Sequence, residues 1–179
     1  MVEAPASRIW IARGTYITIA ILLIFLQLLP LNTLPPRWAP PDLILAVTLA
    51  WVARRPDFMP ILSVAFVFLL CDFLFQRPPG LYTALMLILT ETLRARSRNL
   101  RNSAFSVEWA TIALGIVAIT FGYRLVQSVA LLHQAPFWLT MVQMVLTILI
   151  YPVVAVLSQI LFGIARPAPG QVDSLGHRL

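Results

Sequence analysis

Residues Thr15–Leu34 run for 20 positions without a charged side chain. A helix rises 1.5 Å per residue, so this run reaches about 30 Å, the thickness of a bilayer's hydrocarbon core. In lipid every backbone N–H and C=O must be satisfied internally, which leaves helices and closed barrels as the spanning structures. The rest of the chain agrees with a helical solution. It is 60% hydrophobic and only 11% charged, whereas a soluble domain is about a quarter charged. A water-soluble fold could not cover its surface with these side chains, and the chain reads as an all-α integral membrane protein. The first run exceeds the roughly 7–15 residues of a signal-peptide core and no small-residue cleavage site follows, so it is expected to stay as a first span.

At 179 residues there is room for one domain of five or six spans. A single cysteine, Cys71, excludes a disulfide framework and a multi-thiolate metal site. After the first span, the prolines around Trp38 predict a second helix starting near Pro41 or Asp42 and ending about Ala53. It is short for a span and open to a re-entrant reading. Further helices are expected over Phe58–Gln76, about Leu81–Arg94, about Phe105–Leu132 and about Pro136–Ala165. All 13 basic residues are arginines, and they lie in the gaps between apolar runs. If the second helix crosses, the cytoplasmic side carries Arg8, Arg13, Arg54, Arg55, Arg94, Arg96, Arg98, Arg101, Arg166 and Arg178. The outer side carries Arg37 and Arg77, with Arg124 inside the fifth helix. That asymmetry is what membrane topology requires, and it favours a six-transmembrane-helix bundle with both termini cytoplasmic. Residues 1–14 form the N-terminus, 15–165 the membrane domain and 166–179 a polar tail expected to be mobile. The same placement explains the net charge of +6 without a nucleic-acid partner. Trp10, Trp38, Trp51, Trp109 and Trp138 fall near predicted span ends, where interfacial anchors sit.

Catalytic material is scarce. His133 and His177 have no neighbour at metal-ligand spacing, and there is no phosphate-binding glycine loop, zinc-protease helix or nucleophile elbow. Ionisable groups at membrane depth are the better lead, since their burial in lipid is costly. Asp72, late in the third helix, and Arg124, late in the fifth, could pair across the bundle. Alternatively Asp72 caps or hydrogen-bonds the proline-rich turn after it while Arg124 snorkels to headgroups. Glu91 and Arg94 have the spacing of a local i,i+3 pair. Glu108 and Asp42 read as first-turn acids favoured by the helix dipole, although Asp42 is equally open to a functional role. The cluster Arg94, Arg96, Arg98 and Arg101 reads as a topology determinant that could also recruit anionic lipid or an acidic partner. Ala46/Ala50 and Ala118/Gly122 have the four-residue spacing of close helix contacts.

Several of these residues fall in a pattern that resembles MreD, the family of bacterial rod shape-determining membrane proteins. Trp38–Leu45 reads W-A-P-P-D-L-I-L at the opening of the second helix. Trp51 is followed by the turn Arg54-Arg55-Pro56, and Asp72 is followed eight residues on by Gly80. The layout matches over nearly the whole chain, with the specific residues mainly in Trp38–Arg101. One departure is that Ser63, Ala65, Val67 and Phe68 stand where the family often has glycines. The resemblance implies a fold similar to the substrate-binding S components of energy-coupling-factor vitamin transporters, with Asp42, Asp72 and Gly80 at recurring positions; Pro41, Asp42, Asp72, Gly80 and Arg124 are the structural or interaction candidates.

It further implies a location in the bacterial inner membrane, no cofactor, and a non-enzymatic scaffold role in cell-wall elongation and rod shape. The implied partners are MreC, the actin-like MreB and the elongation transpeptidase. Two other classes compete with this expectation. A vitamin-binding transporter subunit needs a pocket with convergent polar groups, and the short outer loops near residues 35–40, 77–80 and 133–136 offer few. A proton-coupled transporter should bring more intramembrane acids and unwound helices.

Overall fold

The computed structural model describes residues 6–29, 38–101, 103–132 and 134–162. Among them are six α-helices and no strand: α1 Ala6–Leu28, α2 Leu43–Arg54, α3 Ile61–Leu74, α4 Leu81–Arg101, α5 Phe105–Val129 and α6 Phe137–Phe162. A short 3-10 turn, Pro56–Phe58, joins α2 to α3. Three helices are long and apolar enough to cross a membrane, over Ile9–Leu28, Phe105–Val129 and Phe137–Phe162. The chain is therefore a helical membrane protein.

Helix α2 packs on α6 and α4, α4 on α5, and α5 on α6, so these four close a ring. Helix α3 lies against α4, and α1 rests on α3 and α2. Apolar on all sides, α2 is the most enclosed element, with Ala46, Leu49, Ala50 and Val52 fully buried. A helix without a polar face belongs in an interior. The phenol of Tyr16 on α1 meets the Thr48 hydroxyl on α2 at 3.0 Å, which locks the outlying helix to the ring. One end of the bundle gathers the start of α2, the α3–α4 turn and the α5–α6 loop, and is called here the Asp42 end. The opposite, Arg54 end gathers the α2–α3 turn, the start of α5 and the last turns of α6.

The helix boundaries depart from the sequence expectation in ways that chain chemistry explains. Helix α1 starts at Ala6, inside the segment expected to be an N-terminal extension; the expected end at Leu34, with Arg37, lies outside the described residues. The third helix starts at Ile61 rather than Phe58, because Pro60 disfavours helical backbone at Met59 and lacks a donor; the residues before it form the 3-10 turn. Helix α4 continues to Arg101, so the arginine cluster is helical rather than a loop, as befits a residue type that favours helix. Helix α5 ends at Val129, three residues before the expected Leu132. The tail 166–179, with Arg166, His177 and Arg178, and the loop residue His133 lie outside the described residues.

Helix α6 carries Pro152 in its interior. Proline has no N–H, so the carbonyl four residues earlier, that of Ile148, loses its helical donor. The Trp109 indole of α5 donates to that carbonyl at 3.0 Å. The tryptophan reading divides accordingly. Trp10, Trp38 and Trp138 are largely exposed, whereas Trp51 is buried to 1% exposure, donates to Ser158 Oγ at 3.3 Å and packs on Tyr16 and Phe162. Of the small-residue pairs, Ala46/Ala50 is buried but Ala118 faces outward. The close approach on α5 is instead at Gly115, where a Cβ would come within 2.8 Å of Leu89 Cδ1.

Candidate functional site

At the Asp42 end the backbone is organised by two carboxylates. Asp42 is the N-cap of α2, its Oδ1 accepting from Leu45 N at 2.9 Å. Pro41, just before it, has no N–H to satisfy. The Asp42 N–H donates to Thr147 Oγ1 on α6 at 2.9 Å, and the Tyr82 hydroxyl of α4 donates to Asp42 Oδ2 at 3.4 Å. One cap residue thus ties α2 to both neighbours in the ring.

Asp72 does the same for α4. Gly80 precedes the first residue of that helix and has no side chain with which to cap it. Asp72, fully buried on α3, supplies the acceptor instead. Its Oδ2 takes hydrogen bonds from Gly80 N at 3.0 Å, Thr83 N at 3.2 Å and Thr83 Oγ1 at 2.8 Å. Gly80 has φ +82°, a left-handed conformation that glycine adopts without a Cβ penalty. Between them the chain leaves α3 through a Schellman turn: Gln76 has φ +53°, Gln76 N donates to Phe73 O, and Arg77 N donates to Asp72 O. The same motif ends α5, with Leu131 at φ +53° and Leu132 N donating to Gln127 O.

Asp72 and Arg124 are not paired. Arg124 Nη1 donates to Ala135 O at 3.1 Å and Thr140 Oγ1 at 2.8 Å, and its guanidinium lies over the Phe137 ring. Its backbone carbonyl accepts from the Gln134 amide at 3.1 Å. Arg124 thus holds the loop between α5 and α6 rather than α3.

These elements line a half-open cavity of about 290 Å³. Helix α5 contributes Ile116, Thr120, Tyr123, Arg124 and Gln127, a single stripe at helical spacing; α6 contributes Thr140, Gln143, Met144 and Thr147. Asp42 and Leu45 come from α2, Tyr82 from α4, and Gln76 and Arg77 from the turn. The Arg77 guanidinium stacks 4.7 Å from the Tyr82 ring centroid and 5.3 Å from that of Phe75, and Tyr82 meets Tyr123 edge to face. Burial works against the Arg77 charge, yet the surrounding field, led by the Asp42 carboxylate, holds its pKa above the ordinary arginine value. Helices α5 and α6, rather than the short loops, furnish most of the polar groups at this end. Arg77 entered the sequence reading only as an outer-side arginine, and Tyr82 not at all. The polar stripe of α5, repeated at three and four residues, was the available signal.

At the Arg54 end, Glu108 is more than a first-turn acid. Arg54 and Glu108, 4% and 2% exposed, form an ion pair at 3.1 Å. Arg54 Nη1 also donates to Ala155 O at 2.7 Å, and the Tyr151 hydroxyl donates to Glu108 Oε1 at 2.7 Å. This cluster joins α2, α5 and α6. In the arginine cluster, Arg94 pairs with Glu91 at 3.5 Å and donates through Nη2 to Met59 O, which ties α4 to the α2–α3 turn. Arg96 is exposed, and the side chains of Arg98 and Arg101 lie outside the described residues. Among the described residues no group of three or more His, Cys, Asp or Glu side chains could hold a metal ion, and Cys71 is buried. No family model, curated protein or solved structure matches the chain.

Proposed function

We propose that the chain is a non-enzymatic scaffold of the MreD type in the bacterial inner membrane, serving the complex that elongates the cell wall and maintains rod shape. The observation that carries this reading is how the residues at the resembled family's recurring positions are used. Asp42 caps α2 and ties it to α4 and α6, while Asp72 and Gly80 start α4. Residues committed to joining helices suit a protein whose product is a shaped surface.

In this reading all six helices cross, both termini are cytoplasmic and the Asp42 end faces outward, as the arginine distribution favours. Helices α2 and α3, of 12 and 14 residues, then cross within a locally thinned bilayer. The apolar outer faces hold the single membrane helix of MreC, and the arginine-rich end meets MreB and anionic headgroups. Affinity purification from native membranes in mild detergent tests it. Co-purification of MreC and elongation proteins, the transpeptidase among them, is the expected result. Recovery of ATPases with a coupling membrane subunit would replace the scaffold with a vitamin-transporter S component, the second reading that the polar cavity favours.

A further inference from the structure

The cavity at the Asp42 end carries a charge that joining helices does not require. Two guanidinium groups, Arg77 and Arg124, line it against one carboxylate, Asp42. Both Asp42 oxygens are already engaged, Oδ1 by Leu45 N and Oδ2 by the Tyr82 hydroxyl. Among the described residues Arg124 donates only to neutral oxygens. The Arg77 guanidinium, stacked on Tyr82 and Phe75, makes no hydrogen bond or ion pair among the described residues. Stacking covers the faces of a guanidinium and leaves its N–H edge available, the fork that matches a carboxylate or phosphate in two-point geometry. Deeper in, Leu45, Ile116 and Met144 make the wall apolar.

We propose that this cavity binds a small organic anion, a carboxylate or phosphate ester whose charged end meets Arg77 and Arg124 and whose compact apolar part packs toward Leu45, Ile116 and Met144. The volume, about 290 Å³, is at the lower end for ligand pockets and suits a headgroup or a single ring rather than an acyl chain. A free anion and an anionic lipid headgroup share this chemistry. The proposal is independent of the scaffold reading, since co-purifying partners and cavity occupancy are separate observations.

Phenyl phosphate is the probe, titrated calorimetrically against the full chain in phosphatidylcholine nanodiscs, with phenol as the uncharged control. Saturable binding of phenyl phosphate and none of phenol is expected. Arg77→Gln should weaken binding at least tenfold. Asp42→Asn should tighten it severalfold, because asparagine caps a helix as well as aspartate while the opposing charge is removed. A misfolded variant cannot bind more tightly, so the second substitution protects the test from a folding defect. Repeating the titration in phosphatidylglycerol nanodiscs separates the sources. Competition by the lipid assigns the site to a headgroup, and its absence assigns the site to a free anion; both keep the proposal. Absence of phenyl phosphate binding, equal binding of phenol, or an affinity that ignores either substitution would overturn it.

Discussion

Replacing Asp72 tests whether α4 is capped from another helix. An ordinary N-cap side chain accepts from the second or third backbone N–H of its own helix; here Gly80 offers none, and Asp72 Oδ2 accepts from Gly80 N, Thr83 N and Thr83 Oγ1. Asp72→Ala leaves three donors without that acceptor at a buried helix start. With a net value of about 1–1.5 kcal/mol per hydrogen bond, the loss is about 3–5 kcal/mol. Asp72→Asn keeps one acceptor oxygen. It loses the negative charge at the helix's positive end, about 0.3–1 kcal/mol, and places an amide N–H2 where Oδ1 has no hydrogen-bond partner. Its cost should be about 1–2 kcal/mol. Equilibrium unfolding in mixed micelles, followed by circular dichroism and by the reactivity of Cys71, the only cysteine, gives both values. An alanine variant within 1 kcal/mol of the parent would refute the capping argument. An asparagine variant as damaging as alanine would show that the charge matters, not the acceptor geometry.

Three further outcomes are expected from the same unfolding measurement. Trp109→Phe should cost about 1–2 kcal/mol in the parent and clearly less beside Pro152→Ala, which restores an N–H for the Ile148 carbonyl; additive effects would break the proposed link between indole and proline. Glu108→Leu should cost about 3–5 kcal/mol by stranding the buried Arg54 charge, and adding Arg54→Met should recover much of it, so a double variant worse than the single one would count against the ion-pair reading. Leu131→Gly should stabilise by about 0.5–1 kcal/mol, since Leu131 is held at φ +53°, while Gly80→Ala should destabilise by about 1 kcal/mol; the reverse order would mean that neither turn is strained as its backbone indicates.

Much of this architecture was legible because it depends on local chemistry. Prolines before Asp42 gave the start of α2 to within a residue or two, and the spacing of Glu91 and Arg94 gave their pair. What was not legible depends on partners distant in sequence. Glu108 looks like a dipole-favoured acid until Arg54, 54 positions away, is placed against it. Trp51 looks like an interfacial anchor because it precedes two arginines, yet Tyr16 and Phe162 enclose it. The α4 extension was missed for a different reason. Arginines mark the edge of the lipid zone, and a helix need not stop there, since its backbone remains satisfied in water.

An acid in a membrane helix is ordinarily the first place to look for function, because isolated burial costs so much. In this chain that reasoning finds the framework instead. Asp42 caps its own helix, Asp72 caps its neighbour's, and Glu108 meets Arg54, so each acid is matched to donors that the fold supplies. The imbalance lies with the cations. Arg124 holds a loop through uncharged oxygens, and Arg77, stacked on two rings, lines a polar cavity. Both side chains are part-exposed where they line the cavity, so their remaining N–H groups are open to water or to something bound. Those two guanidinium groups in the cavity wall, rather than any acid in the helices, are the feature that a binding partner would complete.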